Sequence, residues 1–178
     1  MFHNGDSYSL IGPRTSITLA IDGIDYVHEF ILVDDFSARH GEWVKVDEFT
    51  TIDEGRIFSP GNLAATVDNQ GYKDLFEFWN INQYKLSFTG GMVSDVNQIV
   101  VKGNGIFVNP DSPTNKSKLK LAYEAAPLAF IIEKAGGLSS NGATSLLEVA
   151  IEDLEQETAV ALGSSGEVKR YESMVGCN

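Results

Sequence analysis

Lys118, Lys120 and Glu124 fall within one short stretch, Lys118-Leu119-Lys120-Leu121-Ala122-Tyr123-Glu124. Read with period two, the stretch is a strand that puts both ammonium groups and the carboxylate on one face, with Leu119, Leu121 and Tyr123 on the other. Such a face can grip an anion at one end and offer a metal ligand at the other. At roughly 3.3 Å per residue the two ends lie about 20 Å apart along the backbone, a span that flexible lysine stems shorten toward the size of a small ligand. A half-buried strand with a solvated, charged face accounts for the same residues, and on composition alone it is the commoner outcome.

Gly90-Gly91 precedes an apolar-periodic segment and can bring backbone N–H groups close to a ligand oxygen, because glycine offers no Cβ and a helix amino terminus carries partial positive charge. Turn formation explains the same pair. Asn62 stands in a Pro-Gly-Asn corner where its amide can meet a phosphate or simply close a turn. Asp34-Asp35 reads as a strand end, since adjacent strand residues point to opposite faces. His3, His28 and His40 have no metal-site spacing, and no nucleophile motif, phosphate loop or dinucleotide fingerprint occurs.

The elements that position these residues follow from periodicity. Thr15 to Ala20 and His28 to Val33 are apolar or β-branched runs joined through Asp22-Gly23, which predicts an antiparallel hairpin, with a third strand over Trp43 to Val46. The polar stretch Asp47 to Arg56 is expected to be a boundary, giving a β piece over 1–50 and an α/β domain over 51–178. Leu75, Phe78 and Trp79 give one helix a stripe, and Val93, Val96 and Val100 give the next one its own. Pro127 opens an apolar helix through Ala135 that should be buried all round. Val160-Ala161-Leu162 reads as a strand, and Ser164 with Glu167 as a capping box for a last helix. Strands interleaved with helices predict a layered α/β/α domain on a mixed sheet.

The chain has 178 residues with 25 acidic against 13 basic side chains, a net charge of −12. That balance and the lack of a basic run exclude nucleic acid as a natural partner, so an anionic ligand must be met by local cations, backbone N–H groups or a metal. The single cysteine, Cys177, allows no internal disulfide. No targeting segment and no apolar run of membrane-spanning length is visible, so no membrane partner is expected.

Phe58-Ser59-Pro60-Gly61-Asn62-Leu63, Thr89-Gly90-Gly91-Met92-Val93-Ser94-Asp95-Val96-Asn97-Gln98-Ile99 and Lys118 to Leu128 resemble the class I fructose-1,6-bisphosphatase family, most closely its sedoheptulose-1,7-bisphosphatase branch. The resemblance extends through Glu133 to Gly137 and Ala161 to Ser164, and covers about Gly12 to Gly176. It implies the carboxy-terminal part of a two-domain, magnesium-dependent enzyme that hydrolyses the C1 phosphate of a sugar bisphosphate. The first strands would be left from the amino-terminal domain.

Position by position, the resemblance makes Asn62 and Lys118 contacts to the distal phosphate, and Gly90, Gly91 and Met92 the backbone around the sugar. Glu124 becomes a carboxylate ligand of Mg2+. Lys120 stands where the family usually has arginine, which keeps the charge and loses the bidentate fork. Phe88 replaces a tyrosine whose hydroxyl reaches the distal phosphate, and Ile11 replaces another tyrosine. The Asp-Pro-x-Asp-Gly-Ser motif that holds the family's other metal carboxylates is missing, since Asp22-Gly23 has Leu19 where its partner aspartate would be. The resemblance therefore implies a fragment of a longer enzyme, or a short product with little activity, for which a sugar-phosphate-binding or subunit-interaction module is the alternative. It further implies self-association, or association with a missing amino-terminal half, in a plastid or the cytoplasm.

Overall fold

A computed structural model of the chain describes residues 4–34 and 39–176. His3, Asp35 and Cys177 lie outside the described residues. Strands β1 (Gly5–Leu10), β2 (Ser16–Ile21), β3 (Val27–Leu32) and β4 (Trp43–Phe49) form an antiparallel sheet in that order. The expected hairpin is β2–β3: Gly23 supplies φ 81°, and Ile24 N–H closes the turn on Ile21 O at 3.2 Å. Along β2, Ser16, Thr18 and Ala20 are buried while Ile17, Leu19 and Ile21 are only half-buried, the period-two signature of a sheet covered more on one face than the other.

Strands β5 (Asp53–Pro60), β6 (Lys85–Leu86), β7 (Asn104–Asn109), β8 (Leu138–Ser140) and β9 (Val160–Gly163) form the mixed sheet, in the order β6-β5-β7-β9-β8. β5 runs parallel to β6 and β7, and β9 antiparallel to β7 and β8. Helices α1 (Gln70–Ile81) and α4 (Ser165–Met174) pack on one face through Ile106, Val108 and Ala161. Helices α2 (Met92–Lys102) and α3 (Ala126–Lys134) pack on the other through Phe107, Val160 and Leu162. The fold is thus the layered α/β/α arrangement expected, with the antiparallel sheet added outside α2 and α3.

Helix α3 lies between the two sheets. Leu128, Ala129, Phe130, Ile131 and Ile132 are all buried, and the same apolar cluster takes in Tyr8, Ala20 and Val27 of the antiparallel sheet. A helix with no polar face can settle only in such a place. Each large side chain of this kind contributes about 1.5–3 kcal/mol on burial.

Three stretches add to or correct the sequence reading. Asp47 to Arg56 runs from one sheet to the other and carries strand at both ends: Asp47–Phe49 ends β4 and Asp53–Arg56 begins β5. Its poor strand formers have tertiary reasons, since the Glu54 carboxylate accepts Gly166 N–H at 2.6 Å in the first turn of α4, and a Cβ on Gly55 would strike Asn104. Ser164 and Glu167 form no capping box. The Ser164 hydroxyl donates to Asp53 O at 2.7 Å and accepts from Gly105 N–H at 3.0 Å, tying α4 to the sheet. The Glu167 carboxylate turns inward instead, accepting from Trp79 Nε1 and the Tyr84 hydroxyl, both at 2.8 Å, and from Arg170 Nε at 3.3 Å. Burial, and then the bond to Glu167, push the Tyr84 phenol up to about 12. Third, Lys118 to Glu124 is not a strand: Lys118 and Leu119 belong to no element, Lys120 makes one isolated bridge to Glu157, and Leu121–Ala125 is a π-helical turn.

Truncating the centre of α3 leaves a cavity that neither sheet can close. Ile131→Ala is therefore expected to lower the unfolding free energy by about 2–5 kcal/mol, read from the midpoint of a urea denaturation curve at unchanged slope.

Candidate functional site

The π turn has a local cause. Pro127 has no N–H for the Tyr123 carbonyl, and its ring crowds that carbonyl, so the preceding turn widens. Ala125 N–H reaches Lys120 O at 3.0 Å, and Ala126 N–H bonds to Leu121 O. Widening carries Glu124 to the rim of a cleft of about 400 Å³. Glu124 Oε2 accepts the Lys120 backbone N–H at 2.7 Å, which fixes the carboxylate while the residue lines the cleft.

Across the cleft stands the start of α2. Gly90 has φ 87° and Gly91 is the N-cap residue, with no side chain to cap the helix. The approach is held by a buried acid: Asp95 Oδ1 accepts Thr89 N–H at 2.8 Å, and Thr89 Oγ1 accepts Gly91 N–H at 3.2 Å. Gly91 and Met92 line the cleft, with Tyr8 of β1 as part of its wall. Tyr8 donates to Asn97 Oδ1 at 3.0 Å, and burial, reinforced by the Glu29 carboxylate, raises its pKa well above that of a free phenol despite an opposing hydrogen bond to Thr18.

The fold thus brings Gly91, Met92 and Glu124 to one cleft, from segments more than thirty positions apart in sequence. The other candidates stand around it. Leu119 lines the cleft, but Lys118 and Lys120 on either side of it do not. Lys118 is exposed and makes no ion pair among the described residues. Lys120 Nζ is held by Glu157 Oε1 at 3.1 Å, Glu155 Oε2 at 3.2 Å and Glu155 O at 3.1 Å, and the bonds to Glu157 and Glu155 raise its pKa. Without a strand, the single face that was to carry Lys118, Lys120 and Glu124 does not exist.

Asn62 adopts the left-handed region, φ 45°, and its amide nitrogen donates to Pro110 O at 2.8 Å and Asn115 O at 3.0 Å. It clamps the loop that leads into Lys118. Phe88 is half exposed at 47%, beside the Gly90–Gly91 approach. His28 is buried against Tyr26 and Phe30, and His40 lies 3.5 Å from Asp34, so neither joins the cleft. A larger cavity, about 550 Å³, opens between the start of α1, the 111–116 loop and the end of α4, and includes none of the candidates.

Sequence reading missed Asp95, Tyr8, Glu155 and Glu157. Asp95 could have been found from its place in the first turn of a helix whose N-cap is glycine, where an acid is favoured. The two glutamates lie in an acidic segment with no local pattern that ties them to Lys120.

Residues 51–176, which carry the mixed five-stranded sheet, its flanking helices and the glycine-capped helix that faces Glu124, match the family description "Fructose-1-6-bisphosphatase, C-terminal domain". The chain belongs to the fructose-1,6-bisphosphatase family. It is 49% identical over 163 residues to the chloroplastic sedoheptulose-1,7-bisphosphatase of Spinacia oleracea, a match covering 92% of this chain and 41% of that protein. It is 35% identical over 171 residues to the class 1 fructose-1,6-bisphosphatase of Citrifermentans bemidjiense, covering 94% and 50%. A solved structure described as a sedoheptulose-1,7 bisphosphatase from Toxoplasma gondii superposes with a TM-score of 0.85 at 37% identity, covering 93% of this chain and 54% of that one. The chain thus spans about half the length of these relatives or less.

The Asp95 staple predicts a local effect. Asp95→Ala should cost about 1–3 kcal/mol by leaving Thr89 N–H unpaired, and should speed amide exchange at Thr89 and Gly91 more than in the β2–β3 hairpin. Uniform acceleration across both regions would contradict a local role.

Proposed function

We propose that this chain provides the sugar-phosphate side of a sugar-bisphosphatase site, acting on sedoheptulose-1,7-bisphosphate or fructose-1,6-bisphosphate. The observation that carries the reading is the convergence of Gly91, Met92 and Glu124 on one cleft, with the exposed residue Lys118 next in sequence to cleft-lining Leu119. In this reading the Gly90–Met92 backbone lies against the sugar, Lys118 meets the distal phosphate, and Asn62 acts through the loop it clamps. Phe88 offers the sugar a ring edge without a hydroxyl. The spinach relative's name supports a plastid setting, and the cytoplasm is the other setting consistent with the family; among the described residues no helix is long and apolar enough to cross a membrane.

Magnesium fits this chain only as a shared ion. Glu124 presents one carboxylate, and among the described residues no group of three or more His, Cys, Asp or Glu could hold a metal. When bound, Mg2+ would polarise the phosphoryl group and activate water. What these residues do themselves is orient the sugar, compensate the distal phosphate and hold the Glu124 carboxylate in place through the Lys120 N–H. The remaining carboxylates are then contributed by the part of the family fold outside these residues. Association with that part, or with a second copy, would cover the outward face of the antiparallel sheet, where Ile17, Leu19 and Phe30 are half-buried and Trp43 is 43% exposed.

The incomplete carboxylate set favours one second reading, a non-catalytic sugar-phosphate-binding module. Two measurements decide. Titration with fructose 6-phosphate should show binding that Lys118→Ala weakens about 10- to 100-fold, the range expected for a lost charge-assisted hydrogen bond; equal affinity in the variant refutes the site. Magnesium-dependent phosphate release from either bisphosphate, abolished by Glu124→Gln, would eliminate the module reading.

A further inference from the structure

An ammonium has three N–H donors, and two of those of Lys120 are hydrogen-bonded, to Glu157 Oε1 and Glu155 O, both at 3.1 Å, while Glu155 Oε2 forms an ion pair with the same nitrogen at 3.2 Å. The side chain is only 21% exposed. A phosphate can reach this nitrogen only by displacing or sharing one of these oxygens.

The acids are not a loose surface run that happens to lie nearby. Leu121 N–H bonds to Gln156 O at 2.8 Å and Thr158 N–H to Leu119 O at 3.0 Å, on either side of the Lys120–Glu157 bridge. The acidic turn is also braced internally, by Gln156 N–H on Asp153 O at 3.2 Å, Glu155 N–H on Asp153 Oδ1 at 3.2 Å and Glu152 N–H on the Gln156 side chain at 2.9 Å. Backbone pairing therefore brings both residues alongside the lysine, while their side chains, 70% and 43% exposed, keep the two ion pairs in the modest range of surface pairs. The same backbone carries Leu119 into the cleft and supplies the Lys120 N–H that holds Glu124.

We propose that Glu155 and Glu157 are affinity-determining residues of the sugar-phosphate site: they compete intramolecularly with phosphate for the Lys120 ammonium and so set how weakly the site holds it. This rests on the reading of the cleft as a sugar-phosphate site. With both acids in place the local charge around Lys120 is net negative, so an incoming phosphate meets repulsion until the pair opens. Lys118, free of ion pairs among the described residues, is then the first cation a phosphate engages, and Lys120 the conditional second.

Orthophosphate titration of the intact chain, followed by NMR and calorimetry, tests the competition. The isosteric double variant Glu155→Gln/Glu157→Gln should bind orthophosphate about 2- to 30-fold more tightly than the wild type, the gain from releasing two ion pairs of modest strength. The Lys120 ammonium signal should move on substitution even without phosphate. Lys120→Met should lose the gain when combined with the double variant. Should the double variant be poorly folded, Lys120→Arg supplies an independent test: five donors can keep both acids and still present a free N–H, so tighter binding is again expected. Unchanged or weaker binding in the double variant, with Lys120→Met still reducing affinity, overturns the competition and leaves the site intact. Unchanged affinity in both the double variant and Lys120→Met overturns the competition by removing Lys120 from phosphate binding, and no orthophosphate binding in either wild type or double variant overturns the reading of the cleft as well.

Discussion

The constraint on which the site depends is the entry into α3. This helix is apolar all round and is clamped between two sheets, so its axis and register are fixed by Leu128, Ile131 and Ile132 and cannot drift to suit a ligand. Its first turn must also accommodate Pro127, whose missing N–H forces the widened turn over Leu121–Ala125. Together these put Glu124 at the cleft on a rigid base, and the bond from the Lys120 N–H fixes its carboxylate. The opposite wall is equally determined, because buried Asp95 holds the Thr89–Gly91 approach from within α2, itself packed against α3 in the same core. The two walls are parts of one packed body, and the cleft is the gap left between them.

Much of this was legible before any coordinates. The helical stripes of α1 and α2, the all-apolar α3, the hairpin at Asp22-Gly23 and strand β9 all follow from periodicity and punctuation, because in each case local preference and tertiary burial agree. Where they disagreed, sequence misled. Lys118 to Glu124 alternates with period two, yet Leu121, Ala125, Leu128, Ala129 and Ile132 also recur at helical spacing, and burial of that longer stripe outweighs a short alternation. β5 escaped notice because Asp53, Glu54 and Gly55 are poor strand formers. Their reasons for being there, capping α4 and admitting Asn104, are contacts with residues far along the chain.

The same lesson applies to side-chain roles. Ser164 and Glu167 have capping-box spacing, but Trp79 Nε1 and the Tyr84 hydroxyl are donors in a dry interior, and an unmet donor there costs more than an unmet N–H at a helix end that water can reach. Glu167 therefore serves the core. Asn62 likewise serves the loop carbonyls it can reach rather than solvent, and through them it steers the segment that carries Lys118.

Charge explains why the site does not depend on the overall field. A net charge of −12 repels phosphates at long range, but screening confines that repulsion to about a Debye length, roughly 8 Å at physiological ionic strength. Within that distance the balance is local: Lys118 stands free of ion pairs among the described residues, while Lys120 is matched by two glutamates brought to it by backbone pairing. An acidic protein can hold an anion if its cations are graded in this way, one available at once and one released only to a ligand that outcompetes its own carboxylates. Such grading would discriminate by ligand charge, because a doubly charged phosphate competes with a carboxylate for an ammonium more strongly than a singly charged or neutral group does. On the proposed reading, selectivity for the phosphorylated end of a sugar would arise from an internal acid, and the acidic turn would be part of the recognition.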